Sequence, residues 1–176
     1  MLSLETGPVC RRFAVRRPAS PVQGVHVQVR ALVGAGDRIA VLTLPFAAVG
    51  LAANIVWPWA FRMGFGAMGM AMGAAFVAVG VPLWLASVAQ VLVFVPKGRL
   101  ITRGPFALML HPIYTTVALL VVPGCGLLFD SWLGFAIGIV LYGSVRLFGP
   151  SEEKALAAQF PREYPAYRER VLLRWL

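Results

Sequence analysis

The sequence predicts an all-α integral membrane protein of about four transmembrane helices, the last two a short hairpin, followed by a cytosolic C-terminal amphipathic helical tail. Three observations predict it. Of 176 residues, 59% are apolar and 13% charged, about half the charged share of an average soluble domain. A single core of this size cannot hide that much apolar surface. The charges stand in short stretches between long charge-free runs, and the basic ones fall almost entirely on one side of the topology those runs imply. Disorder is excluded by the same apolar content.

Residues 1–38 read as a basic cytosolic arm, expected to be flexible and to rest on anionic lipid. It holds Arg11, Arg12, Arg16, Arg17, Arg30 and Arg38 against Glu5 and Asp37. The pair Arg11-Arg12 is a poor export signal, because the first long apolar run starts nearly thirty residues later. His26 reads as a solvated histidine. Gly34-Ala35-Gly36 is too short for a nucleotide-binding loop and follows no strand. From residue 39 to 176 the chain reads as one domain.

The first charge-free run, Ile39 to Phe61, has 23 residues, enough to cross a ~30 Å hydrocarbon layer. Trp57-Pro58-Trp59 at its end resembles an interfacial aromatic belt. The second, Met63 to Pro96, has 34 residues, short of the roughly 40 that two spans need. It therefore predicts one long helix, with Pro82 a candidate kink. Gly69 and Gly73, and Ala67 and Ala71, put small residues at four-residue spacing on this helix. Such faces suit close helix packing and could carry a homo-oligomer contact.

Lys97, Arg99 and Arg103 make a basic loop. Ile113–Phe129 and Trp132–Phe148, parted by Asp130, are each ~17 residues, the lower limit for crossing, and read as a helical hairpin. In the tail, Ser151 is a candidate N-cap with Glu152 and Glu153 in the first turn. Pro161 and Pro165 are expected to break the run, and Tyr164, Tyr167, Val171 and Trp175 recur at helical spacing. Six arginines in the arm, three basic residues in the 97–103 loop and five in the tail, beside Arg146, leave Arg62 alone on the opposite side. Four spans with both termini in the cytoplasm follow.

The net charge of +9 is thus accounted for by topology and contact with membrane lipids; nucleic acid is not an expected partner. Cys10 and Cys125 cannot build a disulfide framework, and no metal-ligand spacing is present. The polar residues set in or beside apolar runs are His111, Tyr114, Arg146, Glu152 and Glu153. Such residues carry a functional expectation. All five fall at the cytosolic ends of the last two spans, where they can converge on a pocket open to cytosol and lipid. Taken singly, His111 before Pro112 also fits a helix start, and Glu152-Glu153 a capping pair.

The ordered set Leu100-Ile101-Thr102-Arg103-Gly104-Pro105-Phe106, His111-Pro112-Ile113-Tyr114, a hairpin, Glu152-Glu153-Lys154-Ala155-Leu156, Phe160, Tyr164, Tyr167 and Arg170-Val171 resembles the isoprenylcysteine carboxyl methyltransferase and phospholipid methyltransferase superfamily. The resemblance covers residues 97–176. It implies S-adenosyl-L-methionine as cofactor, bound at the cytosolic face without a Rossmann domain, and a lipophilic or lipid acceptor bearing a carboxyl, amine, hydroxyl or thiol. By resemblance, Leu100, Ile101, Gly104 and Phe106 would lie on the adenosine side, His111, Pro112 and Tyr114 would form the floor, and Glu152 would hold the polar end. His111, Arg146 and Glu153 are the candidate catalytic residues, the imidazole or a carboxylate taking a proton where the acceptor carries one. Two positions depart from the family pattern: Leu110 stands where an Arg precedes the His, and Thr116 replaces a Gly. A nicotinamide-dependent sterol-type reductase and a non-catalytic packing subunit are the alternative readings.

Overall fold

The computed structural model describes residues 21–174, with side chains from Gly36 onward. Of the flexible arm expected over residues 1–38, residues 1–20, with Cys10, lie outside the described residues, as do the side chain of His26 and Trp175, while 21–38 is helical. Among the described residues the protein is helical, apart from two isolated backbone bridges, Arg62–Ser131 and Met109–Leu173.

Helix α1 (Pro21–Val56) starts well before the apolar run that marks it in the sequence. Loss of charge measures compatibility with lipid, not helicity, and a proline is accepted at the first helical position. The short α2 (Pro58–Phe61) leads into α3 (Gly66–Phe94), a single long helix, as the 34-residue run predicts. A 3₁₀ turn, Val95–Lys97, ends it. After the basic loop come α4 (Pro105–Leu108) and α5 (Pro112–Thr116), which continues through a π-helical stretch, Val117–Val121, into α6 (Val122–Leu128). Pro123 has no N–H for the carbonyl one turn back, and the helix widens just ahead of it. Helix α7 (Leu133–Gln159) and α8 (Glu163–Arg170) complete the chain.

Three helical segments are long and apolar enough to cross a membrane, Gly36–Val56, Gly66–Lys97 and Leu133–Gln159; Pro112–Leu128 is a shorter apolar helix. Prolines set the breaks between them. Trp57, His111 and Phe160 each precede a proline and share nearly one conformation, φ near −120° and ψ near 60°. The proline ring disfavours the helical backbone for the residue before it, and each of the three stands outside a helix.

Two expectations for the tail are corrected. Ser151 caps nothing: α7 runs through Pro150 without a break, and Ser151 Oγ donates to Phe148 O at 2.6 Å. Pro150 offers no N–H to the helix ladder, yet α7 continues past it to Gln159. Pro165 does not break α8, because it stands in the first turn, where N–H groups have no intrahelical partner.

In space α1 packs on α7, α7 on α6, and α6 on α3. Glycines set the closest approaches. Gly69, Gly73 and Gly80 are buried against α6 and the π stretch, where a Cβ on Gly73 would stand 2.7 Å from Gly124 O. The small-residue face of α3 is thus occupied within the chain, while Ala67 and Ala71 stay exposed. Along α1 and α7, Ile39, Leu141 and Val145 meet Ala118 in one cluster, with Thr43 and Ser144 hydroxyls 3.5 Å apart.

One end of the bundle is closed by the 57–65 and 129–132 segments. Asp130 Oδ1 accepts the Gly64 and Phe65 amides at 2.9 and 3.3 Å, and Phe61 stacks on Trp132 with centroids 5.0 Å apart. Asp130 itself has φ 51°. Asp130→Ala removes the acceptor and places a less tolerant residue at positive φ. It is expected to cost about 1–2 kcal/mol in detergent unfolding, with Asp130→Asn costing less.

Candidate active site

At the opposite end, the tail folds back over the 100–110 segment. Leu172 and Leu173 amides donate to Ala107 O and Leu108 O at 3.2 and 2.8 Å. Tyr164, Tyr167 and Val171 are buried against Leu100, Leu110, Leu156 and Phe160, with Val171 in extended backbone just past the end of α8. Tyr167 Oη donates to Phe106 O at 2.8 Å. Burial, reinforced by the Glu153 carboxylate, raises the pKa of both Tyr164 and Tyr167 phenols, which stay neutral.

Under this lid lies a small space of about 50 Å³. Its apolar wall comes from Val91 and Val95 at the end of α3, Leu100, Ile101 and Phe106 from the loop, and Leu156 from α7. Its polar side is His111, Glu152, Glu153, Tyr164 and Tyr167. The unbroken α7 is what brings the carboxylates here: 27 residues span ~40 Å, longer than a ~30 Å hydrocarbon layer. His111 is held by Pro112 behind it and by Gly149 beside it, where a Cβ would stand 2.9 Å from Nε2.

The imidazole sits between both carboxylates, His111 Nδ1 3.7 Å from Glu152 Oε2 and Nε2 3.6 Å from Glu153 Oε1. These separations are too long for hydrogen bonds. Glu153 is also paired with Arg168 at 3.2 Å. Glu152 is only 8% exposed. Its Oε2, His111 Nε2 and Tyr164 Oη are all buried without a hydrogen-bond partner. Buried polar atoms are almost always satisfied by protein, water or ligand, so three such atoms on one space mark it as a candidate binding site.

Leu110, His111 and Glu153 form the wall to an adjoining cavity of about 330 Å³. Tyr142, Arg146, Arg168 and Arg174 line its far side. A separate apolar groove of about 300 Å³ runs along Ile39, Thr43, Trp84, Ile113, Tyr114 and Leu141.

Of the residues singled out in the sequence, Leu100, Ile101, Phe106, His111, Glu152 and Glu153 meet at the small space. Arg146 is exposed and belongs to the adjoining cavity. Pro112 is fully buried at the start of α5. Tyr114 faces the apolar groove, its Oη near Gly36. Gly104 lies on Gln90. Val91, Val95, Gly149, Arg168 and Arg174 carried no signal of their own in the sequence. Among the described residues no group of His, Cys, Asp and Glu could hold a metal ion.

The chain matches no family model, no curated protein and no solved structure.

Proposed function

We propose that this protein is an integral membrane enzyme, with both termini cytoplasmic, that transfers a methyl group from S-adenosylmethionine to a lipophilic acceptor. The observation that carries this reading is the buried Glu152 carboxylate, whose Oε2 has no hydrogen bond. It faces a space of apolar and aromatic lining, which Leu110, His111 and Glu153 divide from a second, larger cavity. Two cavities on either side of one polar wall are what a two-substrate transfer needs.

The residues fit the cofactor in kind. A sulfonium and an ammonium call for a carboxylate and aromatic faces, and Glu152, Tyr164, Tyr167 and Phe106 supply them. The smaller space holds only part of such a molecule, so binding requires the wall at Leu110, His111 and Glu153 to open into the larger cavity. When bound, the cofactor would supply an electrophilic methyl carbon.

The protein's contribution is alignment and dryness, since in-line displacement depends chiefly on holding the reacting atoms in a water-poor site. Tyr164 and Tyr167 close the lid. His111, flanked by two carboxylates, can take a proton from an amine, hydroxyl or thiol, and a carboxyl acceptor needs none. Arg146, Arg168 and Arg174 hold the polar end of the acceptor in the larger cavity, and the groove along Tyr114 and Trp84 accommodates an apolar chain.

The test is equilibrium binding of labelled S-adenosylmethionine to the purified full-length protein in detergent, with NADPH as the competing candidate. Saturable binding of the methyl donor and none of NADPH is the expected result. A folded protein that binds only NADPH would replace this reading with a reductase, and one that binds neither would replace it with a packing role.

A further inference from the structure

The basic loop after α3 borders a further cavity, of about 450 Å³, lined by Gln90 and Phe94 from the helix and by Arg99, Thr102 and Arg103 from the loop, with Leu100 and Ile101 shared with the small space described above. We propose that this cavity binds the headgroup of an anionic glycerophospholipid that carries a free hydroxyl. The proposal does not rest on methyl transfer, in which Gln90, Arg99 and Arg103 take no part.

Three observations meet here. The first is unneutralised charge. Among the described residues, neither Arg99 nor Arg103 has a carboxylate within 4.0 Å, the ion pairs being those of Arg62, His111 and Arg168. Two guanidinium groups on one short loop repel each other until an anion joins them, and the planar fork of each suits a phosphate.

The second is the shape of the loop. Gly98 (φ 63°) and Gly104 (φ 62°) bracket it, both in backbone conformations that favour glycine. The chain is thereby folded back onto α3, and Gly104 comes to rest on the Gln90 side-chain amide, in the space a side chain at 104 would need. The arginines are thus held beside a polar group of the helix instead of trailing into solvent.

The third is that polar group. Gln90 Oε1 is buried and accepts no hydrogen bond. An ionised phosphodiester has no proton to offer it, so the ligand must bring a donor as well as a phosphate. A headgroup alcohol meets that need, and a choline headgroup does not. The hydrocarbon side is provided for too: Leu92 and Val93, between Gln90 and Phe94 on α3, are 70% and 49% exposed. Basic pockets at the end of an apolar helix are where lipid headgroups are recognised in the cytoplasmic leaflet.

The test uses the full-length protein, purified in detergent and stripped of lipid, and native mass spectrometry to count what it retains. Phosphatidylglycerol, phosphatidylcholine and inorganic phosphate are the probes. One phosphatidylglycerol is expected per chain, preferred over phosphatidylcholine by about tenfold or more and not displaced by an equal concentration of inorganic phosphate. The double substitution Arg99→Gln and Arg103→Gln should weaken retention by about tenfold or more. Gln90→Glu, of nearly the same shape, should do so by repelling the phosphate while the unfolding temperature holds, and it carries the test where the double variant does not fold. Equal retention of the two lipids, or unchanged retention in Gln90→Glu, overturns the proposal. Displacement by inorganic phosphate would also overturn it and assign the cavity to a soluble anion.

Discussion

Replacing Glu152 with Gln is expected to remove S-adenosylmethionine binding while leaving the ligand-free protein as stable as before, or more so. The two halves of that result have separate causes. In the ligand-free state Glu152 is a buried carboxylate whose nearest imidazole nitrogen is 3.7 Å away and whose Oε2 has no hydrogen bond. A buried charge so poorly compensated costs several kcal/mol, and Gln keeps the shape without the charge. In the proposed bound state the same carboxylate faces the cationic end of the cofactor. A charge-assisted contact of this kind contributes about 2–3 kcal/mol, which is roughly 30- to 150-fold in Kd. Glu153→Gln should weaken binding less, because that carboxylate is already paired with Arg168 at 3.2 Å. The measurements are binding isotherms and unfolding temperatures of both variants in one detergent. If Glu152 served only to hold His111 in place, Glu152→Gln would lower the unfolding temperature instead, and that outcome would sink the assignment.

The parts of this molecule that were legible in the sequence are those written in local terms. The charge-free run from 63 to 96 marks α3, Gly66–Phe94, within three residues at either end, because a lipid-compatible segment has few alternatives to a helix. Asp130 marks the turn between α6 and α7 for the same reason. The start of α1 was not legible, since polar residues between Pro21 and Arg38 carry the helix on without making it apolar. Nor was the continuity of α7: Ser151 has the chemistry of a cap, and only packing along the whole rod decides that the helix passes through Pro150. The site shows the same division. His111, Glu152 and Glu153 stood out as polar groups beside apolar runs and do meet. Tyr114, three residues after His111, looks like a neighbour on the same helical face. It points instead into another groove, because His111 lies outside the helix, at φ −122° and ψ 60°, and helical spacing does not apply across it. Gly149 and Val91 owe their place to distant partners, which no local pattern encodes.

The geometry that joins His111 to Glu152 depends on contacts far from either, and Gly134→Val is expected to break it. At 134 a Cβ would stand 2.6 Å from Gly126 Cα and 2.6 Å from Val122 O, both backbone atoms of α6 that cannot rotate away. The reverse holds at Gly126, where a Cβ would meet Gly134 Cα at 2.8 Å. The α6 and α7 backbones therefore touch only because both residues lack side chains, and a valine forces the two helices apart. Overpacking of a site that can relax costs about 1–3 kcal/mol; here neither neighbour can relax, and the upper end or more is expected. The consequence reaches the other end of the hairpin. His111 leads into α5, which continues as one helix into α6, and Glu152 and Glu153 ride on α7, so splaying the two rods at 126 and 134 widens the separations of 3.6–3.7 Å around the imidazole. Gly143→Ala on the same α7 is the control. Nothing lies within 4 Å of a Cβ there, and alanine is the better helix former by about 1 kcal/mol, so stability should hold or rise. Unfolding temperature and S-adenosylmethionine binding of both variants decide the matter. Loss of both in Gly134→Val with neither lost in Gly143→Ala locates the effect in the α6–α7 contact. Equal losses in the two would mean that α7 tolerates no change along its length, and the close approach at 126 and 134 would have no special part in building the site.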